Sequence, residues 1–342
     1  MQTPKTLTLG LELGASAGCG QALPMFCLMT TPRSIFLVGP TASGKSAVAL
    51  ALAEKLSGEI ITVDSMQVYR GLDIGTAKPS AAERARVQHH LIGVVELTEA
   101  FDAAKFVELA RRVEADVRAR GHVPIFCGGT GLYFKAYLQG LGDAPPSDAK
   151  LRAELEAMPL DELLAELQQG DPVTYERIDR QNPRRVVRAL EVIRLTGQPF
   201  SEQRADWPRL STINRQPSTL LGLQRSSDDL YSRINTRVDE MFARGLVEET
   251  RALLKHGLER NQTAMQAIGY RQVVEQLRGE RSLAETIELV KSKTRQFAKR
   301  QMTWFRHQLS VSWISADANE DARAAGERIM AAYKVKTATF GI

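Results

Sequence analysis

Residues 34–56, SIFLVGPTASGKSAVALALAEKL, decide the fold of this chain. The apolar run at 34–38 predicts a buried strand, and a helix is predicted to begin at Lys45 and to end at Gly58. Between them, GPTASGKS has the GxxxxGK(S/T) spacing of a phosphate-binding P-loop, in the strand–turn–helix context that this motif requires. A Gly-rich structural turn is the alternative. The residues predicted to bind phosphate are Gly39, Pro40, Thr41, Ala42, Ser43, Gly44, Lys45 and Ser46.

A loop of this kind implies a ligand with a di- or triphosphate group. Its backbone N–H groups surround phosphate oxygens, and the positive end of the following helix favours the negative charge. Lys45 adds a positive charge, and the hydroxyl of Ser46 is suited to bind Mg²⁺, which we expect as the cofactor.

The rest of the chain alternates between strand and helix patterns. Further strands are predicted at 59–63, 122–127, 218–224 and 311–315, and Asp102 is predicted to cap a helix that ends near Gly121. Later helices are expected at 228–256, 264–278 and 283–308. This alternation predicts an α/β fold with a P-loop NTPase-like parallel sheet flanked by helices.

The Pro-rich segment GDAPPSDAK (142–150) interrupts this pattern. The chain after it reads as helical to about Arg209, with Asn182 and Pro183 opening a helix that ends at Gly197. We therefore predict an inserted all-helical domain at 143–215, between two parts of a catalytic core at 32–142 and 216–342. Residues 1–31 read as a disordered tail, within which Met29 is a possible true start.

Composition indicates a protein of the reducing cytoplasm. The 342 residues include three scattered cysteines, Cys19, Cys27 and Cys127, without the spacing of a disulfide framework or a zinc site. No apolar run approaches the roughly 20 residues that cross a bilayer. Lys and Arg outnumber Asp and Glu by 45 to 40, so a polyanionic partner is possible without being required.

Polar residues at the ends of the predicted strands are candidates for chemistry. Asp64 follows the second strand and is interpreted as a Mg²⁺ ligand or a general base, or as a cap of the next turn. Thr130 lies in GGTG (128–131), a weaker signal. Arg233 and Arg237, one helical turn apart, either face the crevice or pair with Asp229 and Glu240. His89 and His90 favour a structural or polar-contact role over metal binding.

Two basic clusters lie in different predicted helices. Arg184, Arg185 and Arg188 follow one helix start, and residues 291–306 contain six cations and no acid, interleaved with glutamines and aromatic residues. Such patterns suit a nucleic-acid backbone, although a solvated helix face is the usual explanation of a charge run.

Taken together, the motifs resemble those of the tRNA dimethylallyltransferases, also called tRNA isopentenyltransferases. The resemblance covers residues 33–315 and, without a C-terminal Cys/His zinc finger, is to the bacterial form. The motifs that carry it, in the family's order, are GPTASGKS, VDSMQVYRGLDIGTAKP (63–79), HHLIG (89–93), GGTGLYFKA (128–136), NPRRVVRALEV (182–192), AIGYRQ (267–272) and TRQFAKRQMTWFR (294–306).

This resemblance implies transfer of a dimethylallyl group from dimethylallyl diphosphate to the N6 amine of the adenosine 3′ to the anticodon, in tRNAs that read codons beginning with U. The P-loop would then bind a leaving diphosphate and Mg²⁺, with Thr41 and Arg237 as catalytic residues. Asp64 corresponds to the family's general base, which favours that role over metal binding. We also expect a cytoplasmic monomer without membrane contact.

The resemblance further implies that the inserted helices hold the anticodon stem-loop. The residues expected to contact tRNA are Asp64, Ser65, Met66, Gln67, Thr130, Arg152, Arg184, Arg185, Val186, Val187, Arg188, Ala267, Ile268, Gly269, Tyr270, Arg271, Gln272, Thr294, Arg295, Gln296, Phe297, Ala298, Lys299, Arg300 and Gln301.

Two other functions share the P-loop. A nucleotide or small-molecule kinase would have the same loop and fold, but gives no reason for GYRQ or for the basic helix near Arg300. A non-catalytic RNA-binding NTPase switch would not need Asp64 as a base.

Overall fold

Strand β1 (Ile35–Val38) is buried along its whole length, as four consecutive apolar residues predict. The computed structural model describes residues 33–142, 144–203 and 220–339. In it, β1 lies inside a six-stranded sheet of order β3-β2-β4-β1-β5-β6, and every pairing is parallel. The other strands are β2 (Gly58–Val63), β3 (His89–His90), β4 (Val123–Gly128), β5 (Leu220–Gln224) and β6 (Ser312–Ser315). The predicted fold class is confirmed.

Helices connect these strands and cover the sheet. The first four are α1 (Lys45–Leu56), α2 (Ala81–Arg86), α3 (Ala103–Ala119) and α4 (Gly131–Gln139), followed by α5 (Ala149–Glu156), α6 (Leu160–Gly170), α7 (Pro172–Arg177), α8 (Pro183–Thr196) and α9 (Phe200–Gln203). After β5 come α10 (Ser227–Ala243), α11 (Leu246–Lys255), α12 (Tyr270–Leu277), α13 (Leu283–Gln308) and α14 (Ala322–Thr339).

Alternate residues of β1 enter two different cores. Phe36 and Val38 join a cluster with α3, α4 and α12, in which the rings of Phe36 and Phe126 stack at 4.7 Å. Ile35 and Leu37 pack on the opposite face against α1 and α14. Because both faces are apolar, the sheet is fixed between two helical layers, and the loops at its carboxyl edge hold polar groups in defined positions.

Helices α5 to α9 surround an apolar cluster of their own. Its buried members include Leu155, Leu167 and Leu190, and they are distinct from the two cores against the sheet. The helix at 183–196 begins and ends as predicted, with Gly197 at φ 69°. The proposed domain limits at 143 and 215, the tail at 1–31 and Met29 lie outside the described residues, so the domain assignment stays a prediction.

The structure corrects several element boundaries. The helix predicted at 228–256 is two helices, α10 and α11, because Gly245 lies between them at φ 97°. The one predicted at 264–278 begins as a short 3₁₀ turn at 264–266. Helix α1 ends at Ser57 in a left-handed conformation, so Gly58 belongs to β2 rather than to the cap. The short α2 and the two-residue β3 were not predicted.

A buried carboxylate fastens the amino end of β2. Glu59 is 4% exposed, and its oxygens accept hydrogen bonds from Arg120 while contacting His90 and His122 at 2.6 Å each. Burial raises the pKa of Glu59, but the hydrogen bonds from Arg120, His90 and His122 outweigh it and lower the pKa to about 2. The contact of His90 with Glu59, and that of His89 with the Val87 carbonyl, fit the predicted polar-contact role.

Glu59→Gln is expected to reduce the free energy of unfolding by about 3 kcal/mol at pH 7, the equivalent of the pKa shift. Because the folded-state pKa lies below the ordinary value of 4.5, the carboxylate stabilises the fold above that value. The difference from wild type should therefore shrink as the pH falls from 4.5 towards 2. Urea unfolding at a series of pH values measures it, with the exposed Glu108→Gln as control; a difference independent of pH would contradict the assignment.

Candidate active site

The P-loop connects β1 to α1 at the carboxyl edge of the sheet, as predicted. Gly44 has φ 94°, a conformation that side chains rarely adopt, and Ala42 also has a positive φ of 62°. A Cβ at Gly39 would lie 2.6 Å from the Leu223 carbonyl oxygen of β5. The loop is therefore tightly curved and held against the neighbouring strand, which favours phosphate binding over a simple structural turn.

Lys45 opens α1 and lines the cleft beside the loop. Its Nζ donates to the Pro40 carbonyl at 3.1 Å, so the ammonium group lies over the loop rather than in solvent. Burial lowers the pKa of Lys45, while the nearby Asp64 carboxylate acts in the opposite direction. A partly desolvated cation at this position is suited to bind an anionic oxygen.

Three arginines brace the P-loop from the β5–α10 segment. Arg225 Nε donates to the Ser43 carbonyl at 2.8 Å, and Arg233 Nε donates to the Ala42 carbonyl at 3.1 Å. Arg237 Nη1 donates to Thr41 Oγ1 at 3.2 Å. Arg233 and Arg237 thus face the crevice, whereas Asp229 pairs with Arg225 at 2.8 Å. Burial lowers the pKa of Arg237, and the Arg233 charge adds to the effect.

Asp64 lies directly after β2 and lines the same cleft. Its Oδ1 accepts from the Met66 N–H at 2.8 Å and from the Gln67 N–H at 3.2 Å. Among the described residues, no hydrogen bond ends on Oδ2. The side chain therefore caps the next turn and still has an oxygen that can accept a proton, so the capping and chemical interpretations are compatible.

Thr130 joins the end of β4 to the Asp64 turn. Its Oγ1 accepts from the Ser65 N–H at 3.1 Å. Gly131, the first residue of α4, approaches the Trp304 ring so closely that a Cβ would lie 2.1 Å from it. The glycines of GGTG thus permit close packing, which explains a motif that was ambiguous in the sequence.

The cleft between these elements has a volume of about 280 Å³. Its wall includes cations from the P-loop and α10, together with the Asp64 carboxylate. The segment 76–79 also lines it, where the positive φ of Ala77, 51°, turns the chain inward. Its contribution could not be deduced from the sequence, because the turn has no glycine at the strained position.

Gln301, which the sequence predicts to contact tRNA, makes its hydrogen bonds inside the protein. It is 7% exposed, on the inner side of α13, with Oε1 accepting from the Thr41 N–H at 2.8 Å and Nε2 donating to the Gly129 carbonyl at 2.9 Å. Its partners lie in the P-loop and in GGTG. The structure therefore assigns it to the interior of the site.

Two arginines of the α5–α8 region converge on one buried acid. Glu191 is fully buried, and its Oε2 contacts Arg152 at 2.7 Å and Arg188 at 2.6 Å. Burial raises the pKa of Glu191, and the hydrogen bonds from Arg188, Ser147 and Arg152 more than reverse this. Arg184 donates to the Gln262 carbonyl at 3.1 Å. These arginines are partly neutralised yet remain accessible at the surface.

Several residues expected to contact tRNA have buried side chains. These side chains pack in apolar cores or satisfy internal hydrogen bonds, and they belong to Val186, Val187, Ala267, Tyr270, Gln272 and Ala298. Contact of their segments with tRNA stays a prediction. The resemblance identified the segments, whereas helical periodicity turns part of each segment inward.

Gly269 is also buried, and the remaining members are exposed or partly exposed. Gln296, Lys299 and Arg300 point outward from α13, and Arg300 lies over the Phe297 ring at 5.9 Å. Arg185 is 3.9 Å from Asp179. Others have intramolecular partners: Arg295 bonds to Asn235, Arg271 to Glu275, and the Thr294 hydroxyl to the Val290 carbonyl. Ile268 packs at the edge of an apolar cluster.

In the part of the chain that the structure describes, none of the helices has an apolar stretch that could span a bilayer. The same residues contain no group of three His, Cys, Asp or Glu side chains that could hold a metal ion. Cys127 is a buried free thiol whose pKa burial raises to about 11. Lys291, counted in the basic run, forms ion pairs with Asp239 and Glu288.

The fold and cleft define a P-loop protein with cations and a carboxylate in one cleft. A family model described as IPP transferase matches residues 67–308. The chain belongs to the IPP transferase family, and the resemblance seen in the sequence is confirmed.

Relatives and solved structures agree with this assignment. The tRNA dimethylallyltransferase 1 of Trichlorobacter lovleyi is 46% identical over 84% of this chain and 95% of its own. The tRNA dimethylallyltransferase of Geobacter metallireducens is 47% identical over 82% of this chain and 92% of its own. A tRNA isopentenylpyrophosphate transferase from Bacillus halodurans matches with a TM-score of 0.63 and 38% identity, covering 90% of this chain and 96% of that one. A eukaryotic dimethylallyltransferase acting on tRNA matches with a TM-score of 0.70 and 27% identity, covering 90% of this chain and 80% of that one.

Proposed function

We propose that this protein transfers the dimethylallyl group of dimethylallyl diphosphate to the N6 amine of the adenosine 3′ to the anticodon, position 37, in tRNAs that read codons beginning with U. The products are N6-dimethylallyladenosine and diphosphate. The observation that carries the proposal is the Asp64 carboxylate in one cleft with Lys45 and Arg237. The relatives named above favour this transferase over a kinase.

The P-loop end of the cleft binds the leaving group. As the allylic C–O bond breaks, negative charge accumulates on the diphosphate, and contacts that strengthen with this charge accelerate the step. Lys45 and the P-loop N–H groups supply such contacts. Arg237 adds a second cation, and its bond to Thr41 keeps it directed at the loop.

Asp64 accepts the proton that the adenine amine loses when the new C–N bond forms. An exocyclic amine is a poor nucleophile, so a positioned base and a good leaving group are both required. The two N–H bonds to Oδ1 fix the carboxylate and leave Oδ2 for the proton.

Mg²⁺ fits the oxygen-rich chemistry of this cleft. Ser46 presents an exposed hydroxyl in the first turn of α1, and Asp64 lines the same space, while the nearby thiol of Cys127 is buried and protonated. Hard oxygen donors and phosphate oxygens are the ligands that Mg²⁺ prefers. When bound, the ion would neutralise charge on the diphosphate.

The tRNA is proposed to approach from the side of α8 and α13. Arg184 and Arg185 at the start of α8, and Lys299 and Arg300 on the outer face of α13, supply charge for the backbone of the anticodon stem-loop. The target adenosine must leave its stack to enter the cleft, at a cost of a few kcal/mol that pocket contacts offset. We propose that the enzyme acts as a monomer in the cytoplasm.

Incubation with dimethylallyl diphosphate, Mg²⁺ and an unmodified tRNA carrying A37 is expected to add one dimethylallyl group to that nucleoside, measured by mass spectrometry of the digested RNA. The same tRNA with G37 is the matched control and should remain unmodified. Phosphate transfer from ATP without any prenylated adenosine would contradict the proposal and favour the kinase.

A further inference from the structure

We infer that Gln301 is a positioning residue that locks the P-loop to the GGTG turn, rather than a tRNA contact. The kinetic effect expected of this residue rests on the proposed function, whereas its hydrogen bonds do not depend on that function. Gln301 is 7% exposed in the middle of α13, and its carboxamide bridges Thr41 and Gly129, which are far apart in the chain.

The bridge requires a carboxamide. One partner is an N–H donor and the other a carbonyl acceptor, at 2.8 and 2.9 Å. Glutamine supplies an acceptor and a donor on one planar group, whereas Glu lacks the donor and Lys lacks the acceptor. Because the site is buried, losing either bond would leave a polar backbone group unpaired.

The bridge joins the loop proposed to bind the leaving diphosphate to the turn that holds the proposed general base. Thr41 lies in the diphosphate loop, and its hydroxyl is also held by Arg237. Gly129 precedes Thr130, whose hydroxyl holds the turn that begins at Asp64. Gln301 lines the cleft between these two groups and therefore sets the distance between the leaving-group site and the general base.

Close packing at Gly129 supports the same role. A Cβ at this position would lie 2.3 Å from Gln301 Nε2, and the next non-Gln301 atom, the Gly39 carbonyl oxygen, would be 3.5 Å away. Gly129 thus leaves room for the amide and for little else. Lys299 and Arg300, the neighbours of Gln301 on α13, are exposed, so a segment-level assignment to RNA does not require the buried side chain.

Gln301→Met, which removes both bonds at similar volume, is expected to lower kcat at saturating substrates by about tenfold to a hundredfold. It should weaken magnesium pyrophosphate binding about tenfold in calorimetry and leave the Kd for tRNA within about twofold. Gln168→Met, at an exposed glutamine of α6 away from the P-loop, is the control and should behave as wild type.

Other outcomes overturn the inference. A raised Kd for tRNA with normal kcat and pyrophosphate affinity would make Gln301 an RNA contact. A lowered melting temperature alone, with normal kinetic constants for the folded enzyme, would make it a packing residue. If the wild type did not prenylate tRNA, the proposed function would fail, while the pyrophosphate titration would still test Gln301.

Gly129→Ala provides a second variant should Gln301→Met fold poorly. Its methyl group would displace the amide, so it is expected to reproduce the loss in kcat and in pyrophosphate affinity. In a Gln301→Ala background the same substitution should cost about twofold or less, because the clash is gone. Additive effects of the two substitutions would contradict the bridge.

Discussion

Asp64→Asn is expected to lower kcat by about a thousandfold, within the range for loss of a general base. Asn retains an oxygen for the Met66 and Gln67 N–H groups, so the turn should persist. It cannot accept the proton of the amine at neutral pH. Single-turnover prenyl transfer with saturating tRNA measures the chemical step, and pyrophosphate affinity should change far less than kcat.

Asp102→Asn is a closely matched control for this substitution. Asp102 Oδ1 also accepts from the N–H groups two and three residues ahead, at 3.0 and 2.9 Å, at the start of α3. If capping alone mattered, the two variants would have similar effects on stability and none on kcat. Wild-type kcat in Asp64→Asn would remove the base assignment and reopen the NTPase-switch interpretation.

Lys45→Met is expected to reduce kcat/KM for dimethylallyl diphosphate by about a hundredfold to a thousandfold. Met keeps most of the aliphatic length but removes the charge beside the leaving group and the bond to the Pro40 carbonyl. Because the lost contact strengthens as charge develops, kcat should fall along with binding. Steady-state kinetics at fixed tRNA, together with pyrophosphate calorimetry, separates the two contributions.

Lys55→Met in the last turn of α1 controls for loss of a lysine from this helix. Lys55 is exposed and pairs with Glu327 at 3.3 Å, which contributes little to stability. It should retain wild-type kinetics. Equal activity of Lys45→Met and Lys55→Met would mean that the loop does not bind the leaving group through this charge.

The chemistry of the cleft was predictable where each residue follows a strand. Asp64, Thr130 and the P-loop stand directly after apolar runs, and parallel strands bring their carboxyl ends to one edge. Arg237 could be placed from its spacing with Arg233, although the sequence left ion pairing open. Local pattern and sheet geometry were sufficient in these cases.

The supporting contacts were not predictable, because local pattern does not show which distant residues meet. Gln301 meets Thr41, and Arg225 meets Ser43, only after the whole sheet has assembled. The sequence around Glu59 predicts only a strand. No local pattern indicates that a guanidinium and two imidazole groups surround its carboxylate. The two-residue β3 is too short to show an alternation, and a single glycine at 245 does not interrupt an amphipathic pattern.

The position of β1 also has a consequence for how this protein is made. Ile35 pairs beside Ile125 of β4, and Phe36 beside Leu220 of β5. During translation the β5-facing edge of the apolar β1 therefore stays unpaired until the ribosome has added nearly two hundred residues. The arginines that brace the phosphate loop are made later still. A nascent chain thus lacks these contacts to the P-loop until synthesis has passed α10.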